Sequence, residues 1–143
     1  MATLTVTENQ LRLIQNALDL YTRIGIGQFE RIKEHPTFEV HLYNEFKNEE
    51  GKTDYVKFHS VRDEVDDIFT QAKRLLYNQS SAVKNGGWGI HNPNVDDSCR
   101  DAFDLVQVIR HEFWKNNPNR SNITVDSSVH LTDRKNENIK IEL

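Results

Sequence analysis

The 143-residue sequence has one cysteine, three prolines and no apolar run near the roughly 20 residues that span a membrane. The single Cys99 excludes an intrachain disulfide framework. The opening MATLTVTENQ lacks the basic and apolar regions of a secretory signal peptide. We therefore expect a cytoplasmic protein.

An excess of positive charge is also missing. Lysine and arginine number 18 against 22 aspartate and glutamate, which gives a net charge of −4. This balance disfavours a protein that binds duplex nucleic acid, because such proteins usually present a basic face. A small anionic ligand remains compatible, since it needs only a few well-placed donors.

The motifs of common catalytic and metal sites are absent. The six histidines are scattered without H-x-x-x-H or H-E-x-x-H spacing, and neither C-x-x-C nor G-x-S-x-G occurs. Cys99 falls at an apolar helix position, which is typical of a buried, inert thiol. His111 lies over three helical turns from Cys99, so the two cannot form a dyad on that helix. We expect no metal, no cofactor and no enzymatic activity.

Periodicity predicts helices over 8–24, 30–34, 60–77 and 96–115. Thr7 and Gln10 form a capping-box pattern before the first helix, which carries two adjacent apolar stripes. The third helix is expected to bury Val61, Val65, Ile68, Ala72 and Leu75. Only 36% of the residues are hydrophobic. So wide an apolar surface in such a chain predicts a homo-oligomer.

Alternating apolar positions predict β-strands in the remaining segments. They occur at 2–6, at 37–43 and 54–59 around a polar hairpin loop, and in three short pieces of 118–143. The expected fold is α+β, with three to four helices packed on an antiparallel sheet. We expect a single compact domain over 1–143, with 118–143 as its C-terminal β-rich segment.

The segment NGGWGIHNPNV places Trp88 among three glycines in a long loop. Neighbouring glycines supply no packing volume, so the pattern favours an aromatic platform for a ligand over a core tryptophan. Asn92, beside a proline, is also an ordinary turn residue. Arg110 shares an apolar stripe with Phe103, Val106 and Phe113. It is either a ligand contact or one half of a structural ion pair.

Two further polar segments have simpler interpretations. Arg100, Asp104, Gln107 and His111 form a polar ridge on the last helix, most of it expected to be solvated surface. The segment RIGIGQFE follows a helix, so it is neither a Walker loop nor a dinucleotide fingerprint. A glycine-broken turn between two helices is the main interpretation. Close approach of a ligand or subunit is the alternative.

The segments NALDLYTRIGIGQFERI and GIHNPNVDDSCRDAFDLVQVIRH resemble the first family of Thoeris anti-defence proteins of phages. These are sponges without enzymatic activity that sequester the cyclic ADP-ribose isomers made by bacterial TIR enzymes. Some members also hold cyclic oligonucleotides at a separate site. The resemblance covers about residues 16–32 and 78–111. It implies an α+β protomer in the host cytoplasm that forms dimers or hexamers.

The resemblance also implies site residues. A base-stacking aromatic, an asparagine and arginines would hold the ligand, at Trp88, Asn92, Arg110, Arg62 and the adjoining His111. The second site of some members would correspond to Arg23, Gly25, Gly27 and Gln28. Two other functions stay open from the residues alone, a small nucleotide-processing enzyme and a protein-binding inhibitor of a host factor. The sequence shows no arranged set of catalytic residues, which disfavours the enzyme. Trp88 in its glycine-rich loop and Arg110 on the apolar stripe of the last helix favour a small flat ligand.

Overall fold

A computed structural model describes residues 4–77, 86–116, 128–132 and 141. Of these residues, 68% are helical and 2% lie in a β-bridge, and no sheet occurs among them. The prediction of an α+β fold with an antiparallel sheet is therefore wrong, and so is the sheet that the family resemblance implied. None of the described helices is long and apolar enough to span a membrane.

The helices are α1 (Glu8–Gly25), a 3-10 helix (Phe29–Glu34), α2 (Pro36–Glu45), α3 (Tyr55–Leu76) and α4 (Asp97–Asn116). The predicted helices 8–24, 30–34 and 96–115 are confirmed to within two residues. The Thr7–Gln10 capping box is also present, because each side chain bonds the other residue's backbone N–H.

Helices replace both strands of the predicted hairpin. Pro36 occupies the first position of α2, where its fixed φ suits a helix and its missing N–H costs nothing. The Asp54 side chain accepts hydrogen bonds from the backbone N–H groups of Val56 and Lys57, both at 3.2 Å. This cap starts α3 at Tyr55, before the predicted start at Ser60. The loop between them does reverse the chain, through a single Lys47–Thr53 bridge.

The other predicted strands are not present in those of their residues that the structure describes. Residues 4–7 precede α1 without strand structure, and residues 128–132 contain none either. The remaining parts of the predicted strands at 2–6 and in 118–143 lie outside the described residues.

The chain divides into two compact units. One contains residues up to Ile26 and from Gly89 onwards, and the other contains Gly27–Trp88. The prediction of one domain over 1–143 stays a prediction.

In the first unit α1 packs antiparallel to α4. Arg12 lies over the Phe113 ring at 4.0 Å near one end, and Tyr21 shares a 2.7 Å hydrogen bond with Ser98 near the other. Between these ends lies an apolar core whose most buried members are Leu11, Cys99, Ala102, Val106 and Ile109. Burial of these side chains holds the two helices together.

The polar ridge of α4 is partly buried, against the sequence expectation. The Asp104 side chain is completely inaccessible and accepts two 2.8 Å hydrogen bonds from Thr132, one from its N–H and one from its hydroxyl. Gln107 is only 9% exposed. Full pairing of Asp104 makes its burial tolerable, and it ties residue 132 to α4.

In the second unit the 3-10 helix packs on α3 through a polar face. The buried residues of α3 are Phe58, Asp66, Thr70 and Lys73. The stripe predicted to point inward is instead half-buried to exposed, with Ile68 57% and Leu75 83% exposed. That part of the prediction is wrong, because buried ion pairs rather than apolar contacts fix the orientation of α3.

Candidate functional site

A cavity of about 300 Å³ opens between the 3-10 helix and α3 in the second unit. Its lining consists of Gln28, Glu30, Arg31, Lys33, Glu34 and Arg62. Three cations face two carboxylates there, in a chain whose net charge is negative. The volume lies at the lower end of the range usual for small-molecule pockets, roughly 300–1,000 Å³.

Most charges around this cavity are already matched. Arg31 binds both carboxylate oxygens of Glu34, at 2.8 and 2.6 Å. Lys33 pairs with the buried Asp66. Glu30 accepts a 2.5 Å hydrogen bond from Lys73, and both side chains are 3% exposed. These pairs are the structural framework of the cavity wall.

Arg62 differs from the other two cations. It is half-buried, and within the described part of the chain it pairs with no carboxylate. Its guanidinium instead lies 5.4 Å from the ring centroid of Phe58, which is 2% exposed. Such cation–π contact orients the group while leaving its N–H donors for another acceptor.

Trp88 belongs to the same unit and is half-buried. Its ring meets Tyr77 edge-on at 4.3 Å between centroids. It also lies against Gly27, where an added Cβ would stand 2.6 Å from the Trp88 Cζ3 atom. The residue thus packs more than its glycine-rich surroundings suggested. Gln28, the chain neighbour of Gly27, lines the cavity, and Trp88 is not among the lining residues.

The residues of the predicted second site have separate surroundings. Gly25 ends α1 against Cys99, where a Cβ would come within 2.1 Å of the Sγ atom. Arg23 pairs with Asp19 on α1 at 3.5 Å. Gly27 adopts φ +81° in the turn that follows. The main interpretation of RIGIGQFE as a glycine-broken turn between helices is confirmed, and both glycines also permit close packing.

The predicted residues Asn92, Arg110 and His111 belong to the first unit. The Asn92 side-chain oxygen accepts the Asn94 N–H at 2.9 Å, which is the turn role expected as its simpler interpretation. Arg110 and His111 are half-buried on α4, and the His111 ring stacks on Trp114 at 5.6 Å. Trp88 and Arg62 lie in the other unit.

Sequence reasoning missed the role of Arg100. Its guanidinium donates to the carbonyl oxygens of Ile90 at 3.2 Å and Asn92 at 2.7 Å, and to Asp97 at 2.6 Å. It therefore fixes the loop before α4. Its i, i+3 spacing to Asp97 predicts the ion pair, but no local signal predicts the two carbonyl contacts.

Cys99 has the properties of a packing residue. It is 5% exposed, and burial raises the pKa of its thiol, with a smaller contribution from the Asp96 carboxylate. A raised pKa lowers the thiolate fraction on which nucleophilic attack depends. Among the described residues, no group of three or more His, Cys, Asp or Glu side chains is arranged to hold a metal ion.

Comparison of this chain with protein-family models, curated proteins and solved structures finds no match. The geometry of its own residues, above all Arg62 and the cavity, therefore carries the functional argument.

Proposed function

We propose that this protein binds and sequesters an anionic nucleotide signal of the cyclic ADP-ribose class without cleaving it. The observation that carries the proposal is Arg62, a half-buried guanidinium at a cavity, with no carboxylate partner among the described residues. A pyrophosphate supplies the acceptor that such a group lacks, because guanidinium and phosphate match as bidentate partners.

The surroundings of Arg62 support an anionic ligand with an aromatic part. Gln28 offers an amide for polar groups of a ribose or base. Trp88 contacts Gly27, the residue before Gln28, and is the aromatic ring proposed to stack on the base. The resemblance of the RIGIGQFERI and QVIRH segments to anti-defence sponges names the class of signal. The host cytoplasm is the proposed location.

Sequestration is favoured over turnover by the state of the nucleophiles. Cys99 is buried against Gly25, with a raised thiol pKa. The Ser98 hydroxyl is hydrogen-bonded to both Asp96 and Tyr21 at the start of α4. Cys99 is engaged in helix packing inside the first unit, and the Ser98 hydroxyl, on an exposed residue, is engaged in capping.

Recovery of the ligand tests binding without turnover. The full chain is incubated with the product of an activated TIR enzyme, filtered and then denatured. We expect the signal to be retained with the protein and released intact, even after a long incubation. Degradation that grows with time would reject the sponge in favour of an enzyme. Signal that passes entirely into the filtrate would reject both.

Titration calorimetry with cyclic ADP-ribose isomers tests Arg62. We expect Arg62→Ala to weaken binding by about 1.5–3 kcal/mol, roughly 10- to 100-fold in Kd, because a hydrogen-bonded charge pair is lost. Arg62→Lys should restore only part of the lost affinity, since an ammonium group lacks the planar pair of N–H donors of a guanidinium. The melting temperature should not change.

Arg12→Ala is the matched control, because Arg12 also lies over a phenylalanine ring but in the other unit. Arg110→Ala is measured beside it as the arginine from the QVIRH motif. If Arg110→Ala abolishes binding at an unchanged melting temperature while Arg62→Ala does not, the ligand site is at α4 and the assignment to Arg62 is wrong.

A further inference from the structure

The cavity beside Arg62 carries an exposed carboxylate in its wall. Glu34 lines the cavity, its side chain is 42% exposed, and both of its carboxylate oxygens accept hydrogen bonds from the Arg31 guanidinium. The other lining carboxylate, Glu30, is 3% exposed and is held by Lys73. Of these two carboxylates, Glu34 is therefore the one that solvent and an entering ligand meet.

The charges of the lining residues and of their ion-pair partners nearly cancel. The cations are Arg31, Lys33, Arg62 and Lys73, and the carboxylates are Glu30, Glu34 and Asp66. Within this described group one positive charge is in excess. It corresponds to Arg62, whose guanidinium lies over the Phe58 ring instead of pairing with one of these carboxylates. A bound anion therefore meets one available guanidinium, with the Glu34 carboxylate in the same cavity wall.

Phosphate groups differ in the charge that they bring to such a cavity. A phosphate within a diester or pyrophosphate linkage carries one negative charge on two free oxygens, which a single guanidinium can bind in a bidentate manner. A terminal phosphate carries nearly two charges at neutral pH, because its second pKa is about 6. The cost of desolvating an ion rises with the square of its charge, whereas its attraction to a fixed cation rises only in proportion. The second charge therefore needs a second cation.

We propose that Glu34 is a specificity residue that restricts the cavity to phosphates within a diester or pyrophosphate linkage and excludes terminal phosphates. The inference rests on the proposed binding of a ligand phosphate by Arg62. The Glu34 carboxylate holds Arg31, which would otherwise supply the second cation, and it repels the second charge of a terminal phosphate. Nucleotides that end in a terminal phosphate, such as ATP, thus compete poorly with a cyclic signal.

Adenosine monophosphate and its methyl ester are matched probes, because the ester keeps one charge on the same phosphate. About 3% of the monophosphate is singly charged at pH 7.5, and about three quarters at pH 5.5. The methyl ester should therefore bind about 10- to 30-fold more tightly at pH 7.5 and less than about threefold more tightly at pH 5.5. Amide chemical shifts of the full chain, labelled with nitrogen-15, measure both affinities and should change in the 3-10 helix.

The same titrations control for protonation of the protein. Histidine is the side chain whose ordinary charge change falls in this pH range. The histidines on or directly beside the elements around the cavity are His35, His41 and His59. The methyl ester does not titrate between these pH values, so any change in its own affinity measures the effect of the protein groups.

Glu34→Gln tests the assignment to this residue. The substitution releases Arg31 from the ion pair and makes the cavity more positive, so binding of the doubly charged monophosphate should gain more than binding of the ester. The difference between the probes at pH 7.5 should narrow by at least about threefold. Glu8→Gln is the matched control, because Glu8 pairs with Arg12 at 2.7 Å on the exposed surface of the other unit. It should leave both affinities unchanged.

Three results would overturn the proposal. They are monophosphate binding at pH 7.5 that equals or exceeds ester binding, an undiminished difference in Glu34→Gln, and no shift in the 3-10 helix with either probe. Neither probe is cyclic, so a preference for the ester can be found even if the cyclic signal passes into the filtrate. A cyclic signal that is retained intact while both probes bind alike refutes only the role of Glu34.

Discussion

Two glycines with left-handed backbone conformations have different surroundings. Gly27 has φ +81° and lies against the Trp88 ring, where a Cβ would stand 2.6 Å from the nearest ring atom. Gly51 has φ +74° in the loop before α3, and no described atom lies within 4 Å of its Cβ position. A comparison of substitutions at these two glycines therefore separates the free-energy cost of a left-handed backbone conformation from the cost of disturbed packing.

We expect Gly51→Ala to lower the free energy of unfolding by about 1–2 kcal/mol, the cost of a left-handed alanine. Gly27→Ala should lose about 1–3 kcal/mol more, because the ring must also move. Urea denaturation of both variants measures the difference, and the emission of Trp88 should change only for Gly27→Ala. Equal losses would show that the tryptophan contact has no energetic weight.

The role of an individual residue could be predicted from the sequence only where the residue that it contacts lies close to it along the chain. The Asn92 turn and the glycine-broken end of α1 follow from local patterns. The contact of Trp88 with Gly27 does not, because nothing local indicates which distant segment a loop aromatic packs against. For Arg62 the sequence offered only its motif position, whereas its distinguishing property is that it forms no ion pair with a carboxylate among the described residues. Sequence spacing cannot show such a property.

At the scale of elements, the 3-10 helix and α3 are joined by two ion pairs of opposite sense. Glu30 meets Lys73 and Lys33 meets Asp66. Lys73 also donates to the Gly86 carbonyl oxygen at 2.9 Å, so it anchors the segment that leads to Trp88. Removing one partner of a buried pair leaves the other charge desolvated and unmatched.

We expect Lys73→Met to lower the free energy of unfolding by about 3–5 kcal/mol. The double variant with Glu30→Met should recover much of that loss, because no charge then stays buried. Arg31→Met is the control on the exposed pair with Glu34, where roughly 0–1 kcal/mol is expected. If Lys73→Met costs no more than Arg31→Met in the same urea titration, the buried pair does not hold the elements together.

The start of α4 gives a pH-dependent prediction. Hydrogen bonds from the Ser98 hydroxyl and N–H hold the pKa of Asp96 below its usual range. The carboxylate is thus favoured by folding. Its contribution to stability is complete above the unfolded pKa of about 4 and is lost as the pH falls through the lower folded value.

The stability difference between the wild type and Asp96→Asn should therefore stay constant from pH 7 to about pH 4 and change below it. The asparagine can cap the helix but does not titrate. Denaturant titrations of both proteins across this range measure the difference in their free energies of unfolding. The contributions of the other carboxylates cancel in this difference, because both proteins contain them. A difference that is flat down to pH 2 would contradict the role of the Asp96 charge.

The sequence predicted the helices better than the strands for a physical reason. Capping at Thr7 and sustained 3.6-residue periodicity both indicate α1, so independent signals agree. The alternation of Phe38, Val40 and Leu42 has only three members, and Pro36 favours a helix start just before it. The orientation of α3 was predicted wrongly because periodicity identifies an apolar face without saying what covers it.

For the whole molecule, the two units allow ligand binding to be localised. We expect saturating cyclic ADP-ribose isomer to slow amide hydrogen exchange mainly in the 3-10 helix and the first half of α3. Ligand at 100 times its Kd stabilises a binding-competent state by about 2.7 kcal/mol, so protection there should rise up to ~100-fold. Arg62→Ala measured at the same ligand concentration is the control.

Protection confined to Gly89–Asn116 would contradict the cavity site and favour the α4 residues. Protection in none of the described residues, with the ligand still retained by the protein on filtration, would place binding outside them. These patterns separate the candidate locations without relying on a single substitution.

The two ion pairs also constrain how this sequence can change over time. Sliding α3 by two turns would bring Asp66 level with Glu30, so the alternation of charge encodes one register. A mutation at any one of the four positions is harmful alone and tolerated after its partner changes. Related sequences should therefore show linked substitutions at positions 30 and 73 and at 33 and 66, either as exchanged charges or as matched apolar residues. Independent drift at these four positions would show that the lineage had abandoned this packing.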